Sequence, residues 1–257
     1  MTKGTYVYCV IAAEGRPKPV RARRGLPGTG PVRILDVDHR LYAAVADAPL
    51  DKYGEAAINK GLTDLDWVSR AAVAHEAVVE SFIGETAVLP MKLFTIFTSD
   101  ERVLEHVRAE RRRIAAVVKR VANHQEWGVR VVIDRDRAAA AAPKKKTAPA
   151  GRSSGIAYLA QKKAQRDSVK ELAANARETV AALYDRLAAK SRLAKRRLAS
   201  ELPAQGGPLL LDAAFLVPRA RSASFVALAS RAARGLARHG YGLTFSGPWP
   251  PYSFVQD

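Results

Sequence analysis

The stretch TYVYCVIA, residues 5–12, decides the fold class. Tyr6, Tyr8 and Val10 alternate with Val7, Cys9 and Ile11, so a strand here carries apolar side chains on both faces. A strand of that kind is covered on both sides and belongs inside a layered domain rather than at a solvated sheet edge. Its β-branched residues and two tyrosines favour extended backbone, and it is far shorter than the ~20 apolar residues of a membrane span. A leader peptide would need a longer apolar run, so the segment reads as a first strand.

Working outward, a Gly/Pro/Arg loop follows, and strands are predicted at about 32–37 and 40–46 with a tight turn near Asp38 and His39. Residues 64–83 predict a helix capped by Asp64 or Asp66, with Val68, Ala72, His75, Val79 and Phe82 on one stripe and Gly84 as its stop. TAVLPMKLFTIF (86–97) reads as one strand. The segment 99–124 reads as one helix with Ser99 as N-cap, and EWGVRVVI (126–133) as a strand. A long Ala-rich helix is predicted from Ile156 to about Ser200, with Val169, Leu172, Ala176, Leu183 and Leu187 as its apolar seam. LLLDAAFLV (209–217) is a buried strand, Arg221–Arg238 a helix stopped by Gly240, and YGLTFSG opens the last strand.

The order β-β-β-α-β-α-β-α-β-α-β predicts an α+β protein with two domains, 1–124 and 125–257. The second is expected to be a modified ferredoxin-like α/β sandwich with a long basic helix. The Ala/Pro/Lys-rich residues 135–155 have little to bury and predict a flexible loop.

The chain of 257 residues carries a formal net charge of +17, which points to an anionic partner. The charge is concentrated. Pro143–Arg197 holds fifteen Lys and Arg against four Asp and Glu, most of the excess. Hydrophobic residues are 48 %, enough for a core, and aromatics only 7 %, so that core is mostly Ala, Val and Leu. One cysteine, Cys9, excludes an internal disulfide and a Cys-based zinc site, and a cytoplasmic home fits.

No residues assemble into a recognisable catalytic pattern. His75-Glu76 begins the zinc-protease motif His-Glu-x-x-His, but Val79 stands where the second ligand must come one turn later. His75 also lies on the apolar stripe, which predicts a packed, hydrogen-bonded core histidine. His39, His106, His124 and His239 have no carboxylate or cysteine at metal-ligand spacing. The GTG at 28–30 lacks the third glycine and the helix of a dinucleotide fingerprint, and no nucleophile elbow or phosphate loop is present. The reading is a non-enzyme with no cofactor, no metal and no small-molecule substrate.

Two features suggest partner contact. Lys162, Lys163 and Arg166 open the basic helix, and Trp249 and Tyr252 lie in GPWPPYSF (247–254). The latter reads as a rigid closing strand first and a contact surface second. A nucleic-acid-compacting role is the alternative for the basic helix, since AAPKKKTAPAG is similar to the tails of DNA-compacting proteins. Only Tyr158 and Tyr184 are available there for base stacking, which favours a solvated helix face or a protein partner.

Taken in order, YVYCVIA, DLDWVSRAAVAHEAVVESFI, VLPMKLFTIF, EWGVRVVI, GIAYLAQKKA, LLLDAAFLVP and LTFSGPWPPYSF resemble the GvpF/GvpL family of gas vesicle proteins along nearly the whole chain. One departure stands out. The commoner family pattern has glycine where this chain has Phe94, which puts any role for a bare backbone there in doubt. The resemblance implies a minor gas vesicle protein, located in the cytoplasm and at the vesicle and required for vesicle formation. It implies binding of the small hydrophobic shell protein GvpA and other accessory proteins, with no nucleic acid and no membrane as partner.

Overall fold

The computed structural model describes residues 2–18, 25–134, 137–138, 155–197 and 207–255; inside the long helix the side chains of 155–161, 164–165, 168–170 and 172–173 fall outside that description. Apart from residues 137, 138 and 155, the Ala/Pro/Lys loop expected at 135–155 lies outside the described residues. The protein is a mixed α/β chain of two compact units. One comprises Met1–Glu126 with Pro248–Asp257, the other Trp127–Gly247.

The first unit is built on strands β1 (Lys3–Ala12), β2 (Arg33–Asp38), β3 (Leu41–Pro49), β4 (Ala87–Pro90) and β5 (Ile96–Phe97). The sheet order is β2-β3-β1-β4, with β5 also on β1, and every pair is antiparallel. Strand β1 is buried from Gly4 to Ile11, as its two apolar faces require. Its simple alternation does not hold. The register with β3 shifts between Val7 and Cys9, a bulge at Tyr8. The bulge changes the phase, so Tyr6, Tyr8, Cys9 and Ile11 all join one core cluster.

Around this sheet run α1 (Leu50–Tyr53), α2 (Glu55–Gly61), α3 (Leu65–Glu80), α4 (Asp100–Ala109) and α5 (Arg111–Val121). Asp64 caps α3, accepting from Asp66 N and Trp67 N, and Ser99 caps α4 through Arg102 N. Helices α1 and α2 were not foreseen. The buried face of α3 is Ala71, His75, Val78 and Val79 with Phe82 beyond it, rotated from the expected stripe.

Two predicted elements are each divided. The strand 86–97 is interrupted because Pro90 ends β4 and a turn at Lys92–Thr95 follows, with Thr95 N and Oγ1 both donating to Lys92 O. The helix 99–124 breaks at Glu110, whose backbone (φ −82, ψ 4) leaves the helical region.

The second unit takes most of β6 (His124–Ile133), then α6 (Gly155–Ala188), β7 (Leu193–Arg196), β8 (Leu209–Pro218), α7 (Ser222–Ala237) and β9 (Tyr241–Trp249) as far as Gly247. Its sheet order is β7-β8-β6-β9, with β7 and β8 antiparallel. Helix α6 ends at Ala188, short of the expected Ser200. Its apolar seam runs out at Leu187, and Ser191 Oγ bonds back to Ala188 O. Arg192 N then donates to Leu216 O and Arg197 N to Asp212 O, pulling the chain into β7. This pairing overrides the helix propensity of KSRLAKRR. The core joins Val129 and Val131 of β6, Val180, Leu183 and Leu187 of α6, Phe215 of β8 and Phe225 of α7. Gly240, at φ +78, lets the chain turn from α7 into β9.

Candidate functional site

Of the His75-Glu76 pair, the nearest approach to a catalytic motif, His75 is buried beside the first core while Glu76 is exposed. His75 is 4 % exposed. Its Nδ1 lies 2.7 Å from Tyr6 Oη, and Phe94 N–H donates to the same hydroxyl at 3.2 Å. The hydroxyl can accept from Phe94 N–H and donate to Nδ1 in the tautomer that leaves Nδ1 unprotonated. Burial lowers the His75 pKa to about 4, outweighing the Met91 backbone, which raises it. The imidazole is therefore neutral at physiological pH. Burial also pushes the Tyr6, Tyr8 and Cys9 pKa values up, so none of them supplies an anion. Among the described residues no group of three His, Cys, Asp or Glu could hold a metal ion.

Phe94 occupies a left-handed backbone conformation (φ +64) at the position where the resemblance led us to expect glycine. Its ring compensates in part. It stacks on Trp67 with centroids 4.9 Å apart and planes 17° apart, and Tyr53 lies 6.4 Å away.

The closing segment combines an exposed strand end with a buried turn. Trp249 ends β9 and is half-buried. Pro250, Pro251, Phe254 and Val255 are buried, and Tyr252–Phe254 forms a 3₁₀ turn. Tyr252 packs against the first core, and its buried hydroxyl has no hydrogen-bond partner among the described residues. Burial raises its pKa, and Glu76, Glu80 and Glu126 push the same way. A residue not singled out in the sequence fixes this turn. Glu126 is 3 % exposed and accepts from Ser253 N at 2.7 Å and Ser253 Oγ at 2.8 Å. An acid at the start of a predicted strand was the available signal, but its partner lies 127 residues away.

Lys162, Lys163 and Arg166 are exposed on α6, in the second unit, whereas Trp249 and Tyr252 belong to the first. Further along the second unit, Arg196 lies over the Tyr184 ring at 4.4 Å, so one of the two tyrosines considered for base stacking is already covered by a cation. Another surface was missed from the sequence: Leu62, Leu65 and Val73 are 52 %, 82 % and 63 % exposed. Leu65 and Val73 are eight residues apart on α3, about 80° apart around the axis, and so share one side of it. No helix among the described residues is long and apolar enough to cross a membrane.

Comparison with known proteins gives a consistent answer. The family described as "Gas vesicle synthesis protein GvpL/GvpF" matches residues 4–256. Gas vesicle protein L of Streptomyces sp. (strain CB03234) is 31 % identical over 252 residues, covering 97 % of this chain and 92 % of the relative. Gas vesicle protein F of the same organism is 30 % identical over 271 residues, covering 98 % and 99 %. The crystal structure of GvpF from Anabaena sp. PCC7120 shares the fold, with a TM-score of 0.70 at 16 % identity over 99 % of this chain and 97 % of that one. GvpF from Microcystis aeruginosa superposes with a TM-score of 0.67 at 14 % identity, covering 99 % of both chains. The chain belongs to the GvpL/GvpF family of gas vesicle synthesis proteins.

Proposed function

We propose that this protein is a non-enzymatic assembly factor that binds the small hydrophobic shell protein GvpA, and accessory proteins, while the gas vesicle forms. The observation that carries the reading is the exposure of Leu65 and Val73 on one side of α3, with Leu62 exposed just ahead of that helix. Large apolar side chains grouped on one side of a helix mark a contact surface for an apolar partner. Family membership supports a role in the gas vesicle, and the proposed site of action is the cytoplasm and the vesicle. The exposed Lys162, Lys163 and Arg166 steer acidic accessory partners, with Trp249 and Tyr252 as secondary contacts.

The two units act as two domains, the second of them ferredoxin-like. Its element order β6-α6-β7-β8-α7-β9 supports that description.

The test is capture of purified shell protein by the full chain and by a Leu65→Glu/Val73→Glu double variant, together with vesicle formation in a deletion strain. Capture by the parent and its loss in the variant support the reading. No capture by the parent, with vesicles still forming in the deletion strain, overturns it.

A further inference from the structure

The first unit contains a second surface with a different chemistry. A cleft of about 600 Å³ opens between α5, the end of β1 and the β2–β3 turn. Its floor is apolar and is lined by Ala12, Ala13, Leu41, Ile114 and Val118. Ala115 is exposed on the wall, and so small a residue lets another helix approach closely.

The rim is basic. Helix α5 reads RRRIAAVVKRV and carries no acidic residue. Arg111, Arg112 and Lys119 line the cleft, are exposed, and have no ion-pair partner among the described residues. The cations on α5 outnumber the acids at the cleft, of which only Glu14 is ion-paired among the described residues and Asp38 keeps its charge. Glu14 pairs with Arg40 at 2.9 Å, and Asp38 accepts the His39 N–H at 2.7 Å.

We infer that this cleft docks an acidic amphipathic helix of another protein, its apolar stripe on the alanine floor and its carboxylates on Arg111, Arg112 and Lys119. An apolar groove bordered by cations matches a helix with an apolar face bordered by anions. Nucleic acid fits poorly, because phosphates gain nothing from an apolar floor. A second copy of the chain would bring its own net charge of +17 against the same rim. The cleft is a different surface from Leu62, Leu65 and Val73, so it goes beyond the shell-binding reading.

The probes are three labelled synthetic helical peptides, titrated against the full chain by fluorescence anisotropy. One has a Leu/Ala stripe flanked by Glu, one the same stripe flanked by Lys, and one the Glu flanks with the stripe changed to Ser. The Glu peptide is expected to bind at least about ten-fold more tightly than the other two and to weaken with salt. Arg111→Glu/Arg112→Glu should reduce that binding about ten-fold or more, and Ala115→Trp should block it sterically. All three positions are exposed, and an unchanged thermal melt verifies the fold of each variant. Equal binding of the Glu and Lys peptides, absence of binding by the Glu peptide, or parental affinity in both variants overturns the proposal. The Leu65→Glu/Val73→Glu variant keeps the peptide affinity, and Arg111→Glu/Arg112→Glu keeps the shell-protein capture. The two readings therefore fail separately.

Discussion

Tyr6 Oη stands 2.7 Å from His75 Nδ1 and at the same time accepts the Phe94 N–H at 3.2 Å. One hydroxyl thus joins a strand, a helix and a turn inside a buried apolar core. Removing it leaves the buried His75 Nδ1 and the part-buried Phe94 N–H without this partner, which costs more than the bonds themselves are worth. Tyr6→Phe is expected to destabilise the protein by about 2–4 kcal/mol. His75→Leu in the Tyr6→Phe background should recover part of that loss, because one orphaned polar group is gone. Urea denaturation of both single variants and the pair, analysed as a double-mutant cycle, measures the coupling. Additive losses would show that the two groups do not act as a unit.

The same histidine sets a pH dependence. Its ordinary pKa is 6.5 and its folded value about 4. Above pH 6.5 it is neutral in both states and its burial costs nothing in protonation. As pH falls from 6.5 towards 4, the unfolded chain takes up a proton that the folded chain refuses, so stability falls. The loss levels off below about 4 and is bounded at roughly 3 kcal/mol. Asp100 acts in a separate window. Arg33 holds its pKa below the ordinary 3.8, so its contribution is lost only at still lower pH. Urea midpoints taken between pH 7 and 4.5 should decline in the parent and change much less in His75→Gln. An equal decline in both would remove His75 as the cause.

Phe94 puts two opposing terms at one position. The left-handed backbone costs a residue with a Cβ roughly 1–2 kcal/mol, and stacking on Trp67 returns roughly 0.5–1.5 kcal/mol beyond its area burial. Phe94→Gly relieves the strain but loses the stacking and the ring's packing on the first core, so the relief offsets only part of its loss. Phe94→Ala keeps the strain and loses the ring, so it should be the less stable of the two by about 1 kcal/mol, the reverse of the usual Ala-over-Gly order. Thermal melts of the two variants side by side decide it.

What the sequence could disclose was local. The Asp64 and Ser99 caps were legible because a cap reads its own next three residues. The burial of β1 was legible because both faces of TYVYCVIA are apolar. The bulge at Tyr8 was not, since it is defined by the register with β3. Nor was β7, where pairing with β8 overrides a helical pattern. The departure from the family glycine at Phe94 was legible only as a doubt about a bare backbone; the positive φ supplies a conformational reason for glycine there, and the Trp67 ring shows what phenylalanine packs on. Of the residues singled out for partner contact, Lys163 and Arg166 are exposed as their charge suggests, whereas Tyr252 packs on the first core. Exposed leucines such as Leu65 give no local signal, because burial belongs to the fold and not to the residue.

The Glu126 clamp makes the last prediction. This buried carboxylate takes both the N–H and the hydroxyl of Ser253, and Arg120 Nη1 reaches the carbonyl of Phe254 at 3.3 Å. Ser253→Ala removes the hydroxyl bond to Glu126 and should cost about 1 kcal/mol. Glu126→Ala orphans the backbone N–H as well and should cost about 2–3 kcal/mol. Because the clamped turn carries Phe254 and Val255 into the first unit, the effect should begin there. Hydrogen exchange should quicken first at Tyr252–Val255 and at α5, ahead of the second unit. If exchange in Glu126→Ala rises first in β8 and α7 instead, the segment is not held in the way the Glu126–Ser253 contacts describe.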